Sequence, residues 1–123
     1  RADRSAGDVD AIVAAAASTT DYDAAEARAL AAVFGPRDVA VTAPASAVGR
    51  TQAAAGMFAA LDAVLAIMDQ RVAPTLNTVQ PDAGAPSGLV LESARDTRVR
   101  RALANAYSIG GQCASVLLSE VAA

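Results

Sequence analysis

The chain has 123 residues, of which 54% are hydrophobic but only 3% are aromatic, and its net charge is −3. One domain is expected at this length, with a core built from Ala, Val, Leu and Ile. All ten basic residues are arginine and histidine is absent, so nucleic-acid binding has little electrostatic support.

Hydrophobic periodicity predicts alternating strands and helices along one unit that covers residues 1–123. The sheet is expected to be mixed and five-stranded, with helices packed on it, so the fold class is α/β. In chain order the predicted elements are a strand over 9–14, a helix over 21–34 ended by Gly35-Pro36, a strand over 39–42, a turn at Pro44, a helix over 49–70, an extended stretch over 72–77, a surface loop over 81–88, and strands over 89–91, 101–107 and 113–119.

The single cysteine, Cys113, excludes an intramolecular disulfide and suits a reducing cytoplasm, which is the expected location. It follows a Gly-Gly turn at the start of an apolar strand, where a free thiol is expected to be a small buried hydrophobe. A metal site would depend on carboxylates, and Asp21, Asp23 and Glu26 are predicted to support the N-terminus of a helix instead. We therefore expect no metal and no cofactor.

The second long helix has no polar side chain between Ala53 and Leu61, and Asp62 alone interrupts the apolar surface before Asp69. A helix that is hydrophobic all round is expected to be buried all round. The uninterrupted run is shorter than the roughly 18 residues of a membrane span, so no membrane is expected. The sequence therefore predicts a second covering layer, from another polypeptide or a missing half. Small residues over 53–60 predict that the covering element is a closely packed helix.

Residues 41–56 form a predicted strand, turn and helix start, Val-Thr-Ala-Pro-Ala-Ser-Ala-Val-Gly-Arg-Thr-Gln-Ala-Ala-Ala-Gly. This segment resembles the part of β-ketoacyl synthases in which a Lys-Ser-x-x-Gly-His run precedes a small-residue helix. Ala45 stands in the place of the lysine and Arg50 in the place of the histidine. The family pattern is present while the residues that carry its chemistry are replaced.

Three further segments carry the same resemblance. Residues 10–19 lie where the family has Asn-Ala-His-Gly-Thr-Ser-Thr, with Ala15 in the place of the histidine and Ala16 in that of the glycine. Residues 72–77 are similar to its Pro-Pro-Thr-x-Asn stretch. Residues 105–114 resemble its Gly-Phe-Gly-Gly loop with flanking strands. There the gating-loop equivalents are Ser108 and Ile109, which replace the first glycine and the phenylalanine, and Gly110 and Gly111.

The resemblance implies a thiolase-like fold, two similar halves stacked as α/β/α/β/α, of which this chain matches the C-terminal half. In active relatives the nucleophilic cysteine lies on the N-terminal half, and two histidines, placed here at Ala15 and Arg50, donate to the enolate oxygen. Alanine has no donor and arginine is a poor replacement for a neutral imidazole. An ion pair or structural role is therefore favoured for Arg50 over catalysis.

These replacements point to a non-catalytic relative, most like the chain-length factor of type II polyketide synthases. Such a subunit pairs with an active ketosynthase, meets an acyl carrier protein that bears the polyketide chain, and helps to shape the acyl tunnel. One alternative is the C-terminal piece of a split or cleaved ketosynthase whose nucleophile lies on another chain. Another is a small stand-alone binding module. We interpret the arginines at 95, 98, 100 and 101 as solvent-exposed residues that lead into a strand. The alternative is a docking patch for the acyl carrier protein.

Overall fold

The computed structural model describes residues 3–121. Two helical turns of the 3₁₀ type, Ala6–Asp8 and Gln52–Ala54, precede β1 and α3. The helices and strands are β1 (Ala11–Val13), α1 (Thr20–Phe34), β2 (Ala40–Thr42), α2 (Ala45–Val48), α3 (Ala55–Asp69), β3 (Arg71–Val72), β4 (Arg95–Asp96), β5 (Arg101–Tyr107) and β6 (Cys113–Ser119).

The main sheet is mixed and has four strands in the order β2-β1-β5-β6. β1 is parallel to β2 and to β5, whereas β6 is antiparallel to β5. The prediction of a fifth strand in this sheet, at residues 89–91, is wrong. That segment makes a single bridge, between Leu89 and Val41, and the carbonyl of Val90 then accepts from the N–H of Thr75 at 2.8 Å. β3 and β4 form a separate two-stranded sheet that the sequence pattern does not predict.

Alternate residues of β1 face opposite helices, as the pleat of a strand requires. Val13 belongs to the cluster that contains the buried alanines of α3, and Ile12 belongs to the cluster that contains Leu30 and Phe34 of α1. α1 ends at Gly35, whose φ of 62° lies in the left-handed region that favours glycine. Both faces of the sheet are therefore covered by one long helix each.

α3 is buried on one face only. Ala59, Ala63 and Ala66 pack against the sheet, whereas Met57 is 74% exposed and Met68 is 72% exposed. Burial all round is therefore not achieved within this chain, because a single sheet covers a single side of a helix. By length and composition alone Gln52–Asp69 could cross a membrane, and 17% of this stretch is buried in the structure. One helix of this kind is weak evidence for a membrane span.

The small residues at the start of α3 approach a strand within this chain. A Cβ added at Gly56 would lie 3.2 Å from the Cβ of Ala106 on β5, while Ala54 is exposed. The expected close contact therefore involves Gly56 and the sheet, and does not extend to Ala54. A helix that packs on the other side stays a prediction.

The burial predicted for Cys113 is wrong, because this residue is exposed. β6 is the last strand of the sheet, and residues 113–116 of this strand are all exposed. Neither long helix covers this end of the strand. Burial begins only at Leu117 and Leu118, which pack against the α1 and α3 clusters respectively.

Replacing Gly56 by leucine is expected to destabilise the chain. The added side chain would force α3 away from Ala106, and overpacking of this kind typically costs about 1–3 kcal/mol. Chemical denaturation of both proteins measures the difference in free energy of unfolding. Ala54→Leu is the matched control, since Ala54 is exposed on the preceding turn. Equal midpoints for the two variants would contradict the close packing of α3 on β5.

Candidate functional site

The strand order reverses at β1. The chain leaves β1 through α1 and returns beside it as β2, then crosses through α3 and returns on the other side as β5. The three strands are parallel, so their carboxyl ends meet at one edge of the sheet. In open α/β sheets, ligands bind in the crevice at such a reversal point. This edge of the sheet is therefore the expected place for a site.

A pocket of about 300 Å³ lies at these carboxyl ends, and we call it the strand-end pocket. Its wall is formed by residues 14–17 after β1, residues 44–45 after β2, the segment that leads into α3, and the end of β5. It brings together most of the positions singled out from the sequence, namely Ala15, Ala45, Arg50, Ser108 and Ile109. Gly110 and Gly111 do not line it and lie in the turn between β5 and β6.

The loop after β1 is held by the carboxylate of Glu26 on α1. The N–H groups of Ala15 and Ala16 donate to its two oxygens at 3.0 and 2.9 Å, and the amide of Asn105 donates to one of them at 3.2 Å. Ala16 has a φ of 36°, in the region that favours glycine. Glu26 therefore anchors this loop and does not join Asp21 and Asp23 at the N-terminus of α1.

The loop after β2 is held by the segment that follows α3. The N–H of Ala43 donates to Oγ1 of the buried Thr75 at 3.2 Å. The hydroxyl of Ser46 donates to the carbonyl of Ala43 at 2.7 Å and accepts from the N–H of Leu76 at 2.9 Å. These bonds fix Ala45 against the pocket. The extended stretch predicted over 72–77 thus holds the loop after β2 in place.

Tyr107 is a polar residue of the pocket that the sequence analysis did not single out. Its hydroxyl accepts from the N–H of Ala17 at 3.1 Å, and its ring stacks on Tyr22 with centroids 5.6 Å apart. Burial raises the pKa of Tyr107, the carboxylates of Glu26 and Asp23 add to the rise, and the Ala17 hydrogen bond and Arg50 oppose it. The phenol is therefore protonated at neutral pH. The only sequence signal was a hydroxylated aromatic residue at a strand end.

Arg50 is exposed and takes part in none of the ion pairs among residues 3–121. Of the two roles expected for Arg50, an ion pair is not present within residues 3–121, and a structural role stays a prediction. Its turn follows Gly49, whose φ is 76°, and no acidic side chain stands within that turn. Two members of the arginine cluster are paired instead, Arg95 with Asp38 at 2.9 Å and Arg101 with Asp8 at 3.9 Å.

The strand-end pocket offers hydrogen-bond donors but no activated nucleophile. Hydroxyl groups of Thr51, Tyr107 and Ser108 line it, yet activation of a hydroxyl requires an adjacent general base. The chain has no histidine, and the part of the lining that the structure describes has no carboxylate. The described lining thus supplies hydrogen-bond donors and no general base.

The family model described as β-ketoacyl synthase, C-terminal domain, matches residues 1–79. The chain belongs to this family. Its fold is the thiolase-like fold of ketosynthase C-terminal parts, which confirms the fold that the sequence resemblance predicts.

Several relatives and solved structures are similar over most of the chain. A tetracenomycin polyketide synthase ketoacyl synthase beta subunit from Streptomyces glaucescens is 44% identical over 85% of this chain and 25% of its own length. A 3-oxoacyl-[acyl-carrier-protein] synthase 2 from Coxiella burnetii is 35% identical over 92% of this chain and 28% of its own. The ishigamide ketosynthase/chain length factor superposes with a TM-score of 0.89 at 27% identity, over 94% of this chain and 29% of that one. The chain thus spans about a quarter of the length of its curated relatives.

Replacing Ala16 by glycine is expected to stabilise the chain. Ala16 has a positive φ, which is strained for alanine. Relief of this strain should raise the free energy of unfolding by about 1 kcal/mol, after subtraction of the extra conformational entropy that glycine has in the unfolded chain. Thermal or chemical unfolding measures the change. Ala15→Gly is the neighbouring control, because Ala15 has no positive φ and should lose stability. Destabilisation by both substitutions would contradict the geometry of this loop.

Proposed function

We propose that this chain is the C-terminal half-domain, over residues 1–123, of a non-catalytic, chain-length-factor-like ketosynthase subunit. It pairs with an active ketosynthase in polyketide biosynthesis and helps to shape the tunnel for the acyl chain. The observation that carries the proposal is the strand-end pocket. It has alanine at positions 15 and 45 and arginine at position 50, where the family resemblance places the residues of condensation.

The names of two relatives support this interpretation. One is a beta subunit of the tetracenomycin polyketide synthase, and another is a ketosynthase/chain length factor. By analogy with a protein named an acyl-carrier-protein synthase, the proposed complex also meets an acyl carrier protein. A cytoplasmic location and the absence of nucleic-acid and membrane partners belong to the same proposal.

The outer face of α3 is the first surface that a partner would cover. Met57, Leu61, Val64 and Met68 form a stripe at i, i+4, i+7 and i+11, on the side opposite the buried alanines, and each is at least 39% exposed. Contiguous apolar surfaces on soluble proteins usually mark interfaces. We therefore assign this stripe to the other half of the fold or to the ketosynthase subunit.

The free edge of β6 is the second such surface. The N–H of Ser108 donates to the carbonyl of Gln112, and the N–H of Glu120 donates to that of Arg100. Because ladder bonds alternate along an antiparallel pair, Cys113, Ser115 and Leu117 direct their backbone groups away from β5. Charged residues and proline usually protect a sheet edge from further pairing. Residues 113–119 contain neither. Such an edge supports the proposal that further polypeptide completes the sheet.

The second candidate is the C-terminal piece of a split or cleaved β-ketoacyl synthase whose nucleophile lies on another chain. It is favoured by the 35% identity with a 3-oxoacyl-[acyl-carrier-protein] synthase over 92% of this chain. Both candidates require a partner with the remaining part of the fold. A stand-alone binding module does not require one.

The purified chain is expected not to condense acyl and malonyl thioesters. No thiolate is present in the strand-end pocket, and Ala15 offers no side-chain donor to an enolate oxygen. The assay uses carrier protein loaded with malonyl and acyl groups, with mass spectrometry of the products. A double Ala15→His, Arg50→His variant is the control, and it should stay inactive because it restores donors but no nucleophile. A β-ketoacyl product above the no-protein background would overturn the non-catalytic role.

Expressed alone, the chain is expected to self-associate or to bind a hydrophobic-surface dye. A Leu61→Gln, Met68→Gln double variant should bind less dye, because it interrupts the apolar stripe of α3. Val33→Gln on α1 is the matched control, since Val33 is 61% exposed but outside the stripe. Light scattering and dye fluorescence are the measurements. A dye-free monomer with a cooperative unfolding transition would instead favour the stand-alone module.

A further inference from the structure

The two edges of the main sheet differ in how far they are open. At the β2 edge, the N–H of Val41 donates to the carbonyl of Gly88 at 2.9 Å, and the N–H of Val90 donates to the carbonyl of Val41 at 2.8 Å. At the other edge, β6 has seven residues and no strand on its outer side within residues 3–121. An open edge of this kind is a template for pairing with another strand.

The backbone of β6 restricts how a second strand can pair with it. Residues 113, 115, 117 and 119 direct their N–H and carbonyl groups outward, because the even-numbered residues bond to β5. A two-fold antiparallel pair of two β6 strands, centred on Val116, places residue 113 opposite 119 and residue 115 opposite 117. All four outward residues then face an outward residue of the other strand. Centring on residue 115 or 117 leaves one of the four without such a partner.

The side chains of β6 suit the register centred on Val116. Val116 is 50% exposed, and in this register it would lie directly opposite Val116 of a second copy. Ala114 would lie opposite Leu118. Like charges placed directly opposite each other destabilise a strand pair. Glu120, the charged residue that follows the strand, would lie opposite Gln112 and not opposite another Glu120. The pair therefore brings apolar residues together and opposes no like charges.

The two halves of β6 are also complementary to each other. Residues 113–116 are exposed, whereas Leu117 and Leu118 pack against the α1 and α3 clusters. An antiparallel pair sets the uncovered half of one strand beside the covered half of the other. The uncovered half thereby gains Leu117 and Leu118 of the second copy as neighbours. This self-complementarity favours a second copy of the chain over an unrelated strand.

We propose that two copies of this chain pair through β6, antiparallel and centred on Val116, so that their two four-stranded sheets become one continuous sheet. The same surface of both copies forms the interface, as two-fold symmetry requires. This pairing goes beyond the proposed function, which does not name what covers β6. A failure of the pairing leaves the non-catalytic role and the partner of α3 intact.

Disulfide formation tests the register. Cys113→Ser removes the only cysteine, and Val116→Cys in that background creates a directly opposed, non-hydrogen-bonded pair with Cα atoms about 4.5 Å apart, within disulfide reach. Ser115→Cys is the matched control, because its two copies lie about 9 Å apart, beyond that reach. Under mild oxidation, Val116→Cys should form the cross-linked dimer at least about tenfold faster than Ser115→Cys. Non-reducing electrophoresis measures both rates.

A proline tests the backbone bonds. Ser115→Pro removes an outward N–H and leaves the ladder to β5 intact, so it should raise the Kd of the dimer at least about tenfold. Ser115→Ala is the control, because it keeps this N–H and loses only the hydroxyl bond to Asn105. Sedimentation equilibrium measures the Kd. The Leu61→Gln, Met68→Gln background keeps association through α3 from masking the result.

The native Cys113 allows a test without any substitution, because this residue is exposed and can carry a nitroxide label. In the proposed pair the two Cys113 Cα atoms lie about 20 Å apart, so the two nitroxides should be about 20 to 30 Å apart by pulsed electron paramagnetic resonance. A chain that stays monomeric at high micromolar concentration would overturn the proposal. Equal cross-linking at positions 115 and 116, or a distance outside this range, would do the same, and association through α3 alone is expected to give these results.

Discussion

β1 is hydrogen-bonded on both sides, to β2 and to β5, and the position of every other element depends on this central strand. Its residues are buried completely or almost so. Because right-handed crossovers leave it in opposite directions, α1 and α3 must lie on opposite faces of the sheet. The same reversal leaves a crevice at the carboxyl end of β1, which is where the strand-end pocket lies.

The walls of that pocket are set by bonds from distant parts of the chain. Glu26 reaches from α1 to the loop after β1, and Thr75 reaches from beyond α3 to the loop after β2. Buried backbone N–H groups need partners, so these side chains replace the ladder bonds that end with the strands. In the proposed function, the residues at positions 15, 45 and 50 alter what a site with this framework can do.

Two exposed surfaces of the chain have the same implication. The apolar stripe of α3 faces away from the sheet, and β6 leaves an unprotected edge at the far side. A helix and a strand that a complete domain would cover are here open to solvent. Together with a match over about a quarter of the length of its relatives, these surfaces support the proposal that further polypeptide covers α3 and β6.

The sequence by itself determined the parts whose cause is local. The spacing of apolar residues and the Gly35-Pro36 stop predicted α1 to the residue at its end, and the alternating pattern predicted β5 and β6. The ordered motifs singled out Ala15, Ala45 and Arg50, which the fold brings to one pocket. These features depend on residues that are close in sequence, namely the helical period, the turn residues and the order of motifs. They can therefore be predicted without knowledge of tertiary contacts.

Tertiary structure decided the features that depend on neighbours. Residues 89–91 have the composition of a strand but make one bridge, because the carbonyl of Val90 is taken by Thr75. Cys113 has the setting of a buried thiol but lies on an edge strand. α3 is apolar apart from Asp62 and Asp69, yet only its alanine face meets the sheet, and Arg50 forms no ion pair within residues 3–121. The sequence shows which residue types can be buried or can form ion pairs. Whether another residue lies next to them depends on how the chain packs.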